Sequence, residues 1–378
     1  GSIAIANLVS RLTGFVRQLA LVAVLGLGVI NDSYTIANTL PLIVYELLLG
    51  GVLTSVMIPL LVRAQVADPD GGEAYTQRLL TFATVVLLLA TALAMLAAPL
   101  LTRLYLGGAG NSNANTELAT AFALLLLPEI VFFGLGALLG AILNSRGLFK
   151  PYAWAPVANN LVVLAVVAIY ALTPGEISLD PVRMGDTKLL VLGLGTTAGI
   201  VVQALVLLPA LRRVGFRWRL RLGWDPRLTE AGGLALWVIG YVLAGQVGYI
   251  VTTRVAAAAD PGSVSTYATA WLLLQVPYGV FGVSLLTALM PRMSRAAAVG
   301  DDDEVVADLS RGGRLSAVVL IPISVLLTLF GPALGVALFA HGQTDESEAT
   351  RLGLTLAVSA FGLLPFATVM LQLRVFYA

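Results

Sequence analysis

The chain has 378 residues, 58% hydrophobic and only 11% charged, which excludes an ordinary soluble domain and marks a polytopic membrane protein. Its net charge of +1 makes no case for nucleic acid as a partner, because the basic residues gather in particular loops. The absence of cysteine excludes disulfides, thiolate metal sites and cysteine nucleophiles together.

A spanning helix needs about 20 mostly apolar residues. Charge-poor runs bounded by polar or Gly/Pro-rich breaks predict ten spans, near 5–26, 32–64, 76–106, 116–144, 150–173, 188–213, 230–258, 263–297, 305–340 and 348–377. No cleavable signal peptide is expected, since the first apolar stretch has no small-residue cleavage site and leads into a second span. The first span carries Arg11 and Arg17, roughly 9 Å apart along a helix and about 120° apart around it. An arginine at bilayer depth costs about 2.5–3.5 kcal/mol on insertion scales. Either these two serve a cavity that takes a phosphate-bearing substrate, or Arg11 snorkels to the headgroups while Arg17 pairs with Asp32 or Glu46.

Asp32 opens the second span, where a carboxylate suits the positive end of the helix dipole. Glu46 follows Pro41 in an otherwise apolar run, and reads as a proton or cation site, a gating residue, or the counter-charge of an arginine. Glu129, after Pro128, reads equally as an inter-helix hydrogen bond or as function. The small residues of GLGALLGAIL at 134–143 predict tight helix contacts. Arg254, in the seventh span, is the corresponding intramembrane cation of the later part of the chain.

The connections alternate in charge. Arg63 and Arg78, Arg146 and Lys150, the run Arg212–Arg227, and Arg292–Arg314 fall on one side, and the opposite loops hold few basic residues. The positive-inside rule places the basic loops and the N-terminus in the cytoplasm. The loop 212–230 predicts a topology determinant at an anionic membrane surface, with Trp218 and Trp224 at headgroup level.

After that loop the chain starts again. Segment 51–64 matches 283–296, with Pro59 over Pro291 and Arg63 over Arg295; Pro99 matches Pro332, and Pro128 matches Pro365. Spans one to four therefore recur as seven to ten in the same orientation, which predicts a parallel repeat about an axis along the membrane normal. The expected division is a lobe at 1–213, a basic inter-lobe loop at 214–229, and a second, incomplete lobe at 230–378 that lacks two or more spans. Enzyme chemistry finds no support: the lone histidine, His341, has no companion for a triad or a metal site.

The pattern S-R-L-T-G-F-V-R at 10–17, followed by N-D-S-Y-x-x-A-x-x-L-P at 31–41, resembles the MurJ (MviN) family of lipid II flippases. V-P-Y-G-V-F-G-V-S-L-L-T-A-L-M-P at 276–291 and R-V-F-Y-A at 374–378 agree with it, and the Ala, Gly, Val and Arg usage fits an actinobacterial source. The resemblance implies an all-α fold of two six-helix lobes around a V-shaped cavity. It implies outward flipping of an undecaprenyl-diphosphate-linked peptidoglycan precursor across the bacterial inner membrane by alternating access. No cofactor is implied, only coupling to membrane potential or a monovalent ion. The implied partners are that precursor, membrane lipids and cell-wall synthesis proteins, with the chain itself a monomer. Arg11 and Arg17 match the family's two first-helix arginines, thought to engage the diphosphate, and Asp32 its acidic residue at the start of helix two. This chain departs from the family in reading Tyr45-Glu46 where many members have basic residues, and Leu272 where they carry a third cavity arginine. Arg254 then stands as the substitute for that charge. The alternatives are a polysaccharide-lipid flippase or cation-coupled multidrug exporter of the same superfamily, or a membrane scaffold for cell-wall enzymes.

Overall fold

A computed structural model describes residues 2–50, 58–107, 113–223, 225–279, 289, 292–296 and 299–375. Among them the chain is helical throughout, with no strand. The helices are α1 (Ser2–Leu25), α2 (Val29–Tyr45, continued by a π-helical turn Glu46–Gly50), α3 (Ile58–Ala67), α4 (Glu73–Leu96), α5 (Ala98–Leu106), α6 (Thr116–Leu126), α7 (Glu129–Ser145) and α8 (Lys150–Leu172). They continue as α9 (Thr187–Leu205), α10 (Leu208–Arg213), α11 (Pro226–Ala258), α12 (Ser263–Pro277), α13 (Asp302–Phe339), α14 (Glu346–Ser359) and α15 (Leu363–Val375). A helix lies on each predicted span. Six stretches among the described residues are long and apolar enough to cross a membrane, and the pair α6–α7, bent by 41°, makes a seventh.

The breaks within spans have local causes. Pro128 has no N–H to donate to the turn before it, and α6 gives way to α7 there. Pro99 stands in the first turn of α5, just past the break at Ala97, and Pro365 follows a 3₁₀ turn at Ala360–Gly362. Pro332, matched to Pro99 by the repeat, instead lies inside the continuous α13. Pro59 is the second residue of α3, and Pro291 lies outside the described residues, as does much of the 276–291 motif. Side chains cap several helix starts: Asn115 accepts from Leu118 N–H at 2.9 Å, Asp225 from Arg227, Asp301 from Glu304 and Asp345 from Glu348. Hydroxyls within apolar helices donate back one turn, as Thr81 does to the Gln77 carbonyl at 2.8 Å, so they carry no unmet polarity.

The chain forms two compact units, one of residues 1–24 and 28–262, the other of 25–27 and 263–378. In the first unit α8 packs on α9, α6 on α2, and α7 on α4 and α9. α11, the seventh predicted span, packs against α5 and the π-helical turn and so counts with this unit. The small residues of α7 behave as expected: a Cβ on Gly134 would meet Leu87 at 2.4 Å, and one on Gly140 the Tyr152 ring at 2.2 Å.

The basic loop before α11 is tied to the first unit through its backbone. Arg146 donates to the Val214 carbonyl at 2.8 Å and lies over the Phe216 ring, Gln77 donates to the Arg217 carbonyl, and the Arg221 N–H donates to Thr81. Arg227 closes this end: it bonds Asp225 at 2.9 Å and Asp68 at 3.0 Å and stacks on Tyr75. The loop is thus sewn to α4 and α7 through its backbone, while Trp218 stays exposed. Trp224 lies outside the described residues.

In the second unit α13 and α14 bring backbone against backbone at Gly335 and Gly353. A Cβ on Gly335 would meet the Ala349 carbonyl oxygen at 2.3 Å, and one on Gly353 would meet the Gly331 carbonyl oxygen at 2.3 Å and Pro332 Cα at 2.6 Å. This is the small-residue packing that lets helix backbones touch where lipid supplies no hydrophobic drive. Below it, the buried Asp308 takes Arg292 at 3.2 Å and Arg311 at 3.3 Å.

Gly353→Ala should cost about 1–3 kcal/mol, because backbone cannot step aside as a rotamer can; an unchanged melting temperature in detergent would rule this contact out as a determinant of stability. The hydrogen bonds from Arg227 hold the Asp225 carboxyl below the usual carboxylate range. That contribution is therefore complete above the ordinary carboxylate range and is lost as pH falls through the lowered value. Arg227→Ala should cost about 1.5–3 kcal/mol at neutral pH, and the gap from wild type should close on acidification; a pH-independent gap would contradict the assignment.

Candidate substrate site

α1 enters the first unit along one face. Ser10, Thr13, Gly14 and Arg17 fall at helical spacings of three and four and so line up on that face. Asn160 of α8 docks there: its Nδ2 donates to the Ser10 carbonyl and to Thr13 Oγ1, both at 3.0 Å, and a Cβ on Gly14 would sit 3.5 Å from it. Thr13 spends its own proton on the Val9 carbonyl at 2.8 Å, which leaves its oxygen free to accept. One turn further, the same face carries Arg17.

Arg17 is half-buried, and its Nε is buried with no hydrogen-bond partner among the described residues. Two further buried polar side chains of this unit are Tyr34 of α2 and Glu129 at the start of α7. Tyr34 bonds Thr196 of α9 at 3.0 Å; Thr196 donates to the Leu192 carbonyl at 2.7 Å, so the tyrosine is the donor. Thr197 offers one proton to two acceptors, the Leu125 carbonyl at 2.7 Å and Glu129 Oε1 at 3.3 Å. A tyrosine of α2, two threonines of α9 and the carboxylate that opens α7 are thus linked by hydrogen bonds inside an apolar bundle.

The other sequence candidates lie elsewhere. Arg11 is exposed, on a different face of α1 from Arg17. Asp32 is buried but does not cap α2, whose N-cap is Gly28; its Oδ2 accepts the Gly262 N–H at 2.7 Å and so ties α2 to the turn after α11. That end of the unit is laced further, with Ser33 donating to the Asn115 carbonyl and Asn113 N–H to the Ala257 carbonyl at 2.9 Å. Arg254 is exposed and donates from Nε to the Leu104 carbonyl at 2.7 Å, in the last turn of α5, where a cation suits the helix dipole. Glu46 is half-buried at the change from α2 to the π-helical turn, beside Tyr45, which stacks on Phe133. Such turns recur at functional positions. The five residues do not converge. Asn160, Tyr34, Thr196 and Thr197 were missed by the sequence reading, although polar residues inside the fifth, second and sixth spans were a usable signal.

The family model for the lipid II flippase MurJ matches residues 21–378, so Arg11 and Arg17 precede the matched stretch. The chain is 28% identical over 379 residues to a probable lipid II flippase MurJ of Rhizobium meliloti, covering 99% of this chain and 69% of that protein. It is 27% identical to the lipid II flippase MurJ of Burkholderia cenocepacia, covering 98% and 71%. Its fold is similar to a lipid II flippase MurJ in an inward closed conformation, with a TM-score of 0.80 at 18% identity over 99% of this chain and 75% of the other. An inward-facing multidrug resistance transporter of the MATE family and MOP superfamily has a TM-score of 0.71 at 16% identity, covering 99% and 87%. The chain belongs to the MurJ family of lipid II flippases.

Proposed function

We propose that this flippase carries an undecaprenyl-diphosphate-linked peptidoglycan precursor from the inner to the outer leaflet of the bacterial inner membrane by alternating access, with Arg17 and Arg11 engaging the diphosphate. The observation that carries the reading is Arg17, an intramembrane guanidinium half-buried toward the bundle with an unpartnered Nε. Such a charge is tolerable where water, a counter-charge or a ligand meets it. Its fork of donors suits phosphate oxygens better than the point charge of lysine does. Arg11, exposed two turns earlier, meets the substrate at a different depth from Arg17. Asp32 acts on the site through the turn at Gly262, Arg254 adds positive charge at the far end of α11, and Glu46 serves gating or ion coupling. The lobes run 1–213 and 230–378, with the N-terminus and the loop 214–229 cytoplasmic and with membrane potential or a monovalent ion as the energy source.

In a strain depleted of its own flippase, Arg17→Ala should abolish complementation and Arg17→Lys should cut precursor flipping at least about tenfold, with membrane levels unchanged. Full complementation by a stable Arg11→Ala, Arg17→Ala double variant would falsify the assignment. Reporters fused within 214–223 should read cytoplasmic, and reporters at 113–115 periplasmic; the reverse pattern sinks the orientation.

A further inference from the structure

Asn160 has no part in that reading, yet it docks one turn of α1 before the guanidinium on which the reading depends. It is 6% exposed, on α8, and its amide is spent on α1. The Ser10 carbonyl can only accept, so the amide nitrogen and not the oxygen faces α1. Its two protons meet two acceptors, that carbonyl and Thr13 Oγ1, each at 3.0 Å. Thr13 is held as an acceptor because its own proton goes back along the helix, to the Val9 carbonyl at 2.8 Å or the Ser10 carbonyl at 3.1 Å. Over the same stretch Leu8, Leu12 and Val16 lie about half exposed, so aliphatic packing does little there to set the rotation of α1.

A helix that slips by one residue turns by about 100° and moves by about 1.5 Å along its axis. Such a slip would carry Arg17 off the face it occupies. A pair of bonds to residues 10 and 13 admits one setting of the helix, and Arg17 falls on the face so fixed, at helical spacing from both. We propose that Asn160 is a positioning residue for the diphosphate site: it fixes the rotation and depth of α1, so that Arg17 is presented toward the bundle interior before cargo arrives. The inference rests on the assignment of Arg17 to the diphosphate made above. Without the clamp the guanidinium is still present but spread over several settings of α1, and binding then carries the cost of ordering it.

The test uses the full chain in nanodiscs and a prenyl-diphosphate-linked N-acetylglucosamine as the probe. Asn160→Leu keeps the branched shape without the donors. It orphans nothing on α1, because the Ser10 carbonyl keeps its helical N–H and Thr13 its bond to Val9. Affinity should fall about three- to tenfold, the worth of one or two hydrogen bonds between helices in a membrane. The sequence has no cysteine, so nitroxides on Leu12→Cys and Leu161→Cys, both exposed positions, read the setting of α1 against α8. Their distance distribution should shift or broaden in Asn160→Leu. Thr13→Val, which removes one acceptor, should show both effects in smaller measure, and Thr13→Ser, which keeps it, should restore wild-type affinity. Any binding that survives Arg17→Ala should be indifferent to Asn160→Leu, since the two act as one unit. An added loss in that background overturns the proposal, as does wild-type affinity in Asn160→Leu or a lost affinity with an unchanged distance distribution. Where Asn160→Leu fails to reach the membrane, wild-type affinity in Thr13→Val overturns it. Arg17→Ala separates the two readings: unchanged binding there removes the substrate assignment, whereas lost binding there with wild-type affinity in Asn160→Leu removes only the role of Asn160.

Discussion

A guanidinium and a carboxylate inside an apolar helix bundle each carry a solvation cost that no amount of surrounding leucine can meet. In the first unit this cost falls on Arg17 and Glu129, and the local structure is arranged around it. Pro128 breaks α6 from α7, so Glu129 stands at a helix start and not in mid-helix. Gly14 and Thr13 let Asn160 dock against α1, which turns the Arg17 face inward. Thr196 and Thr197 bring hydroxyls to the same level from α9. None of these devices supplies enough stabilisation alone, and together they leave Arg17 with donor capacity unspent.

The remaining polar chemistry of the unit lies at its two ends. At one, Asp32, Ser33, Asn113 and Asn115 bind the backbone of neighbouring turns; at the other, Gln77 binds the Arg217 carbonyl and Arg227 binds the Asp225 and Asp68 carboxylates. Helices packed through leucine, valine and alanine slide and rotate at low cost, because one apolar face resembles another. Directional bonds at the ends fix register without placing further charge in the middle. A helix that must move during transport then has to give up identifiable bonds, and that of Asp32 to the Gly262 N–H spans 230 residues of chain.

The helices and their breaks were legible because apolar length, proline and capping residues act locally. Pro128 and Asn115 mark their breaks with no tertiary information. The partners of charged groups were not legible. Asp32 reads as a cap from its place in the sequence, but Gly28 caps α2 and the carboxylate finds a turn far down the chain. The arginines of the basic loop carry its expected place at a membrane surface, but the carbonyls and N–H groups that hold it to α4 and α7 are invisible to any composition count. For Arg17 the sequence offered Asp32 and Glu46 as counter-charges because they are nearest in the chain; Asp32 lies instead against the turn at Gly262, and Glu46 opens the π-helical turn.

The same architecture serves chains named as lipid II flippases and chains named as multidrug transporters, so fold similarity carries no information about cargo. The distinction has to reside in what the interior can neutralise. A bundle whose deepest free donor is a guanidinium favours anionic cargo, and one whose deepest free group is a carboxylate favours cations. Here Arg17 keeps an unpartnered Nε among the described residues, while the buried Glu129 has the Thr197 hydroxyl as a donor. The unspent donor is thus a guanidinium, whose planar fork suits phosphate oxygens, and this is what the proposed reading of an anionic cargo draws on.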